Sequence, residues 1–105
     1  MTRYVIGFLR RDVSGGSREQ DEARIHALAT ELGYSVAVMV LADPDRDAVL
    51  SRLMNLLWGE YVDTLIAPGL EHFEAGEIPA LVKFADVVCA NTRERFTVNE
   101  PLTSV

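Results

Sequence analysis

The sequence predicts an α/β domain with an open, mostly parallel sheet of four to five strands and helices on both faces. Short apolar runs alternate with amphipathic segments in the order β-α-β-α-β-α-β. The first run, residues 4–9, is almost entirely apolar, as expected for a strand buried on both faces of a parallel sheet. The connections are short, so we expect right-handed crossovers within one domain.

The length and composition of the chain are those of a single globular domain. A chain of 105 residues is long enough for one hydrophobic core. We predict that one domain spans residues 1–96. Residues 97–105 show no clear hydrophobic period, and we expect a C-terminal tail or an added edge element there.

The helix after the first strand has recognisable start and stop signals. Residues 13–16 are predicted to form a polar loop. Ser17 and Gln20 have the spacing of a capping box, in which the two side chains bind free N–H groups at the helix start. Apolar residues then recur at helical spacing, and Gly33 stands where a left-handed C-terminal cap is expected.

The remaining elements follow the same alternation. Asp43 is the expected cap of the second helix, and Pro44 its first residue. We predict a second buried strand at 35–41 and further strands at 62–67 and 86–90. We also predict a second helix ending near Trp58, a short helix at 70–73 and a further helix beginning near Pro79.

Charge and cysteine content restrict the possible partners. The net charge of −6 works against autonomous DNA binding, so we expect DNA contact only through a partner or a local basic patch. The arginines available for such a patch are Arg3, Arg10, Arg11, Arg18, Arg93 and Arg95. Cys89, the only cysteine, excludes an intrachain disulfide and is expected to be a small buried residue. No apolar run has the length of a membrane span and no signal peptide is recognisable, which predicts a cytoplasmic protein without membrane contact.

The candidate site lies where the parallel strands end, because ligands of open α/β sheets bind beyond the carboxyl ends of the strands. The side chains expected to converge there are Arg10, Asp12, Ser14, Arg46, Glu71, His72 and Asn91. Within this set, an anion would be held by Arg10 and Arg46 together with Ser17 at the helix start. Asp12, Glu71 and His72 would line the pocket. His72 is either a general base or phosphate ligand beside Glu71, or an ordinary surface residue.

We predict no cofactor and no metal ion. The alternative is a magnesium site formed by Asp12 with Asp43 or Asp45, since acidic side chains at strand ends can bind that ion.

Residues 3–90 resemble the catalytic domain of resolvase/invertase-type serine recombinases. The first strand ending in Arg10, the helix with Gln20, Arg46 near the start of the second helix and the run at 62–67 follow the order and spacing of that family. The resemblance implies a nucleophilic serine two residues after Arg10, which would attack a DNA phosphodiester and form a phosphoserine link.

The sequence departs from this pattern at the positions that carry the chemistry. Asp12 stands where the resemblance implies the serine nucleophile. His72 and Ala75 stand where it implies two arginines that clamp the phosphate, whereas Glu71 keeps the acidic position between strand and helix. Ser14, two residues beyond Asp12, is the remaining candidate nucleophile.

The second helix is apolar around much of its circumference, although one apolar stripe is enough for its own core. The surplus residues would cover either a partner or second copy of the chain, or the C-terminal tail. They are Leu50, Met54, Leu57 and Trp58.

These observations favour a recombinase-like domain that is catalytically inactive and acts as an interaction or regulatory module with a residual anion pocket. We expect a homodimer or a partner protein bound through the second helix. One alternative is an active site-specific recombinase or DNA-nicking domain that uses Ser14. Another is a phosphate- or nucleotide-binding protein that uses the loop after Arg10.

Overall fold

The computed structural model describes residues 3–43, 49–60, 62–74 and 76–97. The strands are β1 (Arg3–Arg10), β2 (Tyr34–Ala42), β3 (Thr64–Ala67), β4 (Asp86–Cys89) and β5 (Arg95–Phe96). The α-helices are α1 (Arg11–Ser14), α2 (Arg18–Glu31), α3 (Val49–Glu60) and α4 (Glu77–Leu81), with 3₁₀ turns at Gly15–Ser17 and Leu70–His72. None of the described helices has both the length and the hydrophobicity needed to cross a membrane.

The five strands form one sheet in the order β2-β1-β3-β4-β5. The first four strands are parallel, and β5 pairs antiparallel with β4. This arrangement confirms the predicted α/β class and the mostly parallel sheet. The added edge strand lies at Arg95–Phe96, before the predicted tail, and residues 98–105 lie outside the described part of the chain.

Two hydrophobic clusters cover the two faces of the sheet. Successive β1 residues point to opposite faces. Accordingly, Val5 joins the cluster that contains Ile25 of α2, whereas Ile6 joins the cluster that contains Leu53 of α3. Burial on both sides explains why β1 is apolar at nearly every position. Helices on both faces are thereby confirmed.

The segment between β1 and α2 differs from the predicted loop. Residues 11–14 form the short helix α1, and a 3₁₀ turn follows. Ser17 has φ −95° and ψ 10° rather than extended backbone, and its side chain makes no capping hydrogen bond to α2. The predicted capping box is therefore wrong, because the preceding 3₁₀ turn leads directly into the helix. The expected cap at the other end is confirmed by Gly33, with φ 84°.

Strand β2 is less buried than the sequence predicts. It lies at the edge of the sheet and pairs with β1 alone among the described strands. The register shifts between Val5 and Ile6, so that Ala37 lies opposite neither residue. Because one side of the strand is uncovered, most of its residues are half-buried or exposed.

The predicted start of the second helix at Pro44 lies outside the described residues. Cys89 is buried in β4, as expected. Burial in this apolar strand raises the pKa of the thiol to about 11.

Candidate functional site

The guanidinium group of Arg10 is held by carboxylates from its own neighbourhood. Its Nε donates to Asp12 Oδ1 at 3.1 Å and its Nη2 donates to Asp12 Oδ2 at 2.6 Å. Glu74 Oε2 lies 3.5 Å from Nη1 of the same group. The Arg10 side chain is only 14% exposed, and both of these carboxylates lie at its guanidinium group. Its positive charge is already balanced within the chain.

The Arg10–Asp12 pair shifts the titration of both groups. The hydrogen bond from Arg10 is the largest cause of a lowered pKa at Asp12. The same bond raises the pKa of Arg10. Asp12 is therefore an ionised acceptor for arginine at neutral pH. The magnesium alternative would require it to leave this pair, and Asp45 lies outside the described residues.

His72 is buried at the end of the 3₁₀ turn that follows β3, so the expectation of a surface residue is wrong. The residue is 1% exposed, and its Nδ1 accepts the backbone N–H of Arg10 at 2.9 Å. An Nδ1 that accepts a hydrogen bond carries no proton, so the ring is neutral with its proton on Nε2. Burial lowers the pKa of His72, against the opposing effects of Glu71 and Asp21.

Ser14 and Asp21 form a buried hydrogen bond beside this histidine. Ser14 Oγ donates to Asp21 Oδ2 at 2.5 Å, and the two residues are 7% and 6% exposed. His72 Nε2 lies 4.0 Å from the same carboxylate oxygen, and Arg24 Nη1 lies 3.6 Å from the other. The sequence interpretation missed Asp21. Its position four residues before buried Ile25, on the apolar stripe of α2, was the available signal.

The remaining predicted site residues make none of the hydrogen bonds described above or lie outside the described chain. Glu71 and Asn91 both lie against Gly69, where a β-carbon would stand 2.6 Å from the Asn91 amide nitrogen. Ser17 is exposed, and Arg46 lies outside the described residues. The convergence of Arg10 with Arg46 thus stays a prediction. Arg10, Asp12, Ser14 and His72 do lie together, with Asp21 added.

The predicted interface residues on α3 divide between the core and the surface. Leu57 is buried in the cluster beneath α3, and Met54 packs against that cluster. Trp58 is 79% exposed. The inclusion of Leu57 among surplus residues was therefore wrong, because it belongs to the stripe that faces the sheet. The side chain of Leu50 lies outside the described part of the structure.

Most of the arginines proposed for a basic patch lie beside acidic side chains. Arg95 contacts Asp86 at 2.7 Å, and Arg93 donates to Glu31 through both terminal nitrogens. The further pairs are Arg3–Asp63 at 3.2 Å and Arg18–Glu22 at 3.7 Å. Each pair reduces the positive potential that a phosphate backbone would meet.

Comparison with solved structures identifies the fold. The chain is similar to the crystal structure of the N-terminal catalytic domain of TP901-1 integrase, with a TM-score of 0.70 and 19% sequence identity. The match covers 89% of this chain and 81% of that chain. No protein-family model matches the sequence, and no curated protein matches it significantly. The described residues thus have the fold of a serine recombinase catalytic domain, and the identity is too low to carry over an activity.

Proposed function

We propose that this chain is a serine recombinase-like domain that does not cut DNA and acts as an interaction or regulatory module. The observation that carries the proposal is the two-point contact of Asp12 with Arg10. By the family resemblance, position 12 is where a serine would attack the phosphodiester. A carboxylate at that place is already anionic, repels the phosphate and occupies the arginine that would bind it.

The environment of Ser14 supports the same conclusion. The hydroxyl is buried and directed at Asp21, so a DNA phosphate could reach it only after α1 moves away from α2. Electrostatic stabilisation from single donors is commonly worth factors of about a hundred to a thousand in rate. The sequence has His72 and Ala75 at the two positions where the resemblance implies arginines, and the ring of His72 is neutral and buried.

An active recombinase or nicking domain that uses Ser14 is the second candidate. The 2.5 Å hydrogen bond favours it, because Asp21 is placed to accept the hydroxyl proton if Ser14 becomes accessible. The two candidates differ in one observable: only the second forms a covalent link to DNA.

The decisive experiment incubates the protein with supercoiled plasmid and then denatures it. We expect no nicked or recombined product and no protein–DNA adduct from the wild type. An adduct that forms with the wild type and disappears in Ser14→Ala would overturn the inactive assignment. Ser51→Ala, at an exposed position on α3, is the matched control for the substitution.

DNA contact, in this proposal, comes through a partner. The net charge of −6 and the pairing of Arg3, Arg10, Arg18, Arg93 and Arg95 with acids both weaken attraction to phosphates. We expect the isolated protein to cause no electrophoretic mobility shift of a DNA duplex at about 150 mM salt. At that concentration, charges more than ~8 Å apart are largely screened. A shift that persists at that salt would count against the proposal.

The partner would bind through α3, as a second copy of this chain or another protein. Trp58 supports this placement, because a tryptophan exposed on a helix is a frequent anchor of protein interfaces. The neighbouring Leu57 is buried in the core, so the proposed interface consists of Trp58 and the exposed part of the helix around it.

The same proposal includes a residual anion pocket around Arg10, Ser17 and Arg46 that Asp12 blocks in the wild type. The alternative is a protein whose wild type binds phosphate or nucleotides there. An anion must displace Asp12 to reach the Arg10 guanidinium. We therefore expect a flat thermal-shift response of the wild type to phosphate and nucleotides, and a positive shift with Asp12→Asn. If the Asp12→Asn response persists in Asp12→Asn/Arg10→Ala, the anion does not bind at Arg10.

A further inference from the structure

His72 connects two segments that are distant in sequence. It ends the 3₁₀ turn after β3, and its Nδ1 accepts the N–H of Arg10, the last residue of β1. Arg10 leads directly into α1, whose Ser14 is bound to Asp21 of α2. Besides the pairing of Arg10 with Ala42 in the sheet and its ion pair with Glu74, the segment 10–14 is thus held by an imidazole acceptor at its start and a carboxylate acceptor at its end.

A backbone N–H can only donate, so the Arg10–His72 bond exists only while Nδ1 is unprotonated. Protonation would place two donors against each other in a site that is 1% exposed. The imidazolium would also be drawn towards the carboxylate of Asp21, which lies 4.0 Å from Nε2 and already binds Ser14.

We propose that His72 is a pH-responsive latch: the neutral ring holds the segment 10–14 in place, and protonation releases it. The latch concerns the conformation of this segment and is independent of whether the domain cuts DNA. The latch responds to proton concentration, and it controls the position of Arg10, the last residue of β1, and of Asp12 in α1.

The charges facing the ring come from every element around it. Asp21 approaches from α2, Asp12 from α1, Glu71 from the same 3₁₀ turn and Arg10 from β1. The three acids favour the charged ring, whereas Arg10 and above all burial disfavour it, so the pKa of His72 lies below its usual 6.5. The latch is therefore closed at neutral pH and opens only at a pH below the usual 6.5 of a histidine.

The test is nuclear magnetic resonance of ¹⁵N-labelled protein between pH 7.5 and 4.5. At pH 7.5 we expect the nitrogen shifts of His72 to report a neutral ring with its proton on Nε2. As the pH falls, the Arg10 amide resonance should move with a midpoint below 6.5, together with the His72 ring signals.

Two histidine variants separate the latch from general acid effects. The substitution His72→Asn offers an amide oxygen near the position of Nδ1 and does not titrate in this range, so the Arg10 amide should lose its transition. His26, the other histidine, is exposed on α2, and His26→Asn should behave as the wild type.

Either of two results would overturn the latch. One is an Arg10 amide transition of the same size in His72→Asn. The other is a wild-type ring that is charged, or protonated on Nδ1, at pH 7.5. The protonation state of the ring is measured on the wild type, so this result can overturn the latch even if His72→Asn does not fold.

Discussion

Ser14 Oγ donates a hydrogen bond to Asp21 Oδ2 at 2.5 Å, and fewer than one-tenth of either residue is exposed. This bond joins the short helix α1 to the long helix α2. It thereby connects the segment that carries Arg10 and Asp12 to the helix that packs on one face of the sheet. A buried carboxylate without a hydrogen-bond donor is costly, so we expect the Ser14 hydroxyl to stabilise the folded state.

We predict that Ser14→Ala lowers the free energy of unfolding by about 1–3 kcal/mol, because it leaves the buried Asp21 carboxylate without its hydroxyl donor. Urea denaturation measures this loss. Ser51→Ala, at an exposed position of α3, should change stability by no more than about 0.5 kcal/mol. Equal effects of the two substitutions would mean that the Ser14–Asp21 bond does not stabilise the fold.

Asp12 should titrate below the usual carboxyl pKa of 3.8, because Arg10 donates to its ionised form. Its contribution to stability is present above the unfolded-state pKa and is lost as the pH falls through the lowered folded-state pKa. Carboxyl ¹³C shifts followed during acid titration measure the midpoint. Arg10→Gln should move the pKa of Asp12 back towards 3.8, whereas Arg11→Gln should leave it lowered.

Gly7 leaves room on β1 for the side chains of Met39 from β2 and Ile25 from α2. A β-carbon there would stand 2.7 Å from Met39 Sδ and 3.0 Å from Ile25 Cγ2. We predict that Gly7→Ala destabilises the protein by about 1–3 kcal/mol through overpacking. The measurement is a thermal or urea unfolding curve.

Gly59 provides the matched control for Gly7. It lies in α3 with nothing within 4 Å of its added β-carbon. Alanine is the better helix former, so Gly59→Ala should stabilise by about 0.5–1 kcal/mol. A Gly7→Ala protein as stable as Gly59→Ala would show that Met39 and Ile25 move aside without cost.

Leu57 and Trp58 are neighbours with opposite roles. Leu57→Ala should cost about 2–5 kcal/mol of stability, because Leu57 is buried in the core. Trp58→Ala should leave stability within about 0.5 kcal/mol and weaken association between chains or with a partner. Sedimentation velocity combined with urea denaturation separates the two effects. A large loss of stability in Trp58→Ala, with association unchanged, would contradict the interface on α3.

Much of the fold was predictable because its signals are local. The apolar run of β1, the helical spacing ahead of Gly33 and the alternation of strands and helices each lie within about one element. Errors arose where neighbouring elements override local preference. Ser17 has the residue type of a cap, but the preceding 3₁₀ turn gives it the wrong backbone conformation. Residues 35–41 have the composition of a central strand, yet β2 lies at the edge.

The candidate site was predictable in location and only partly in composition. The strand-end rule brought Arg10, Asp12, Ser14 and His72 to one edge of the sheet. Asp21 was missed, because its place on an apolar stripe indicates that it is buried but does not show which side chain it binds.

By itself, the sequence determined the fold class and the placement of Asp12 where the resemblance implies a serine, since both depend on residue order and hydrophobic period. Only the tertiary structure decided that Asp12 binds Arg10, that Ser14 binds Asp21 and that His72 is a buried acceptor. The physical reason is that hydrogen bonding and desolvation depend on which side chains the crossovers bring together. Arg10 and His72 are 62 residues apart in sequence, and their bond exists only because β1 and β3 lie side by side.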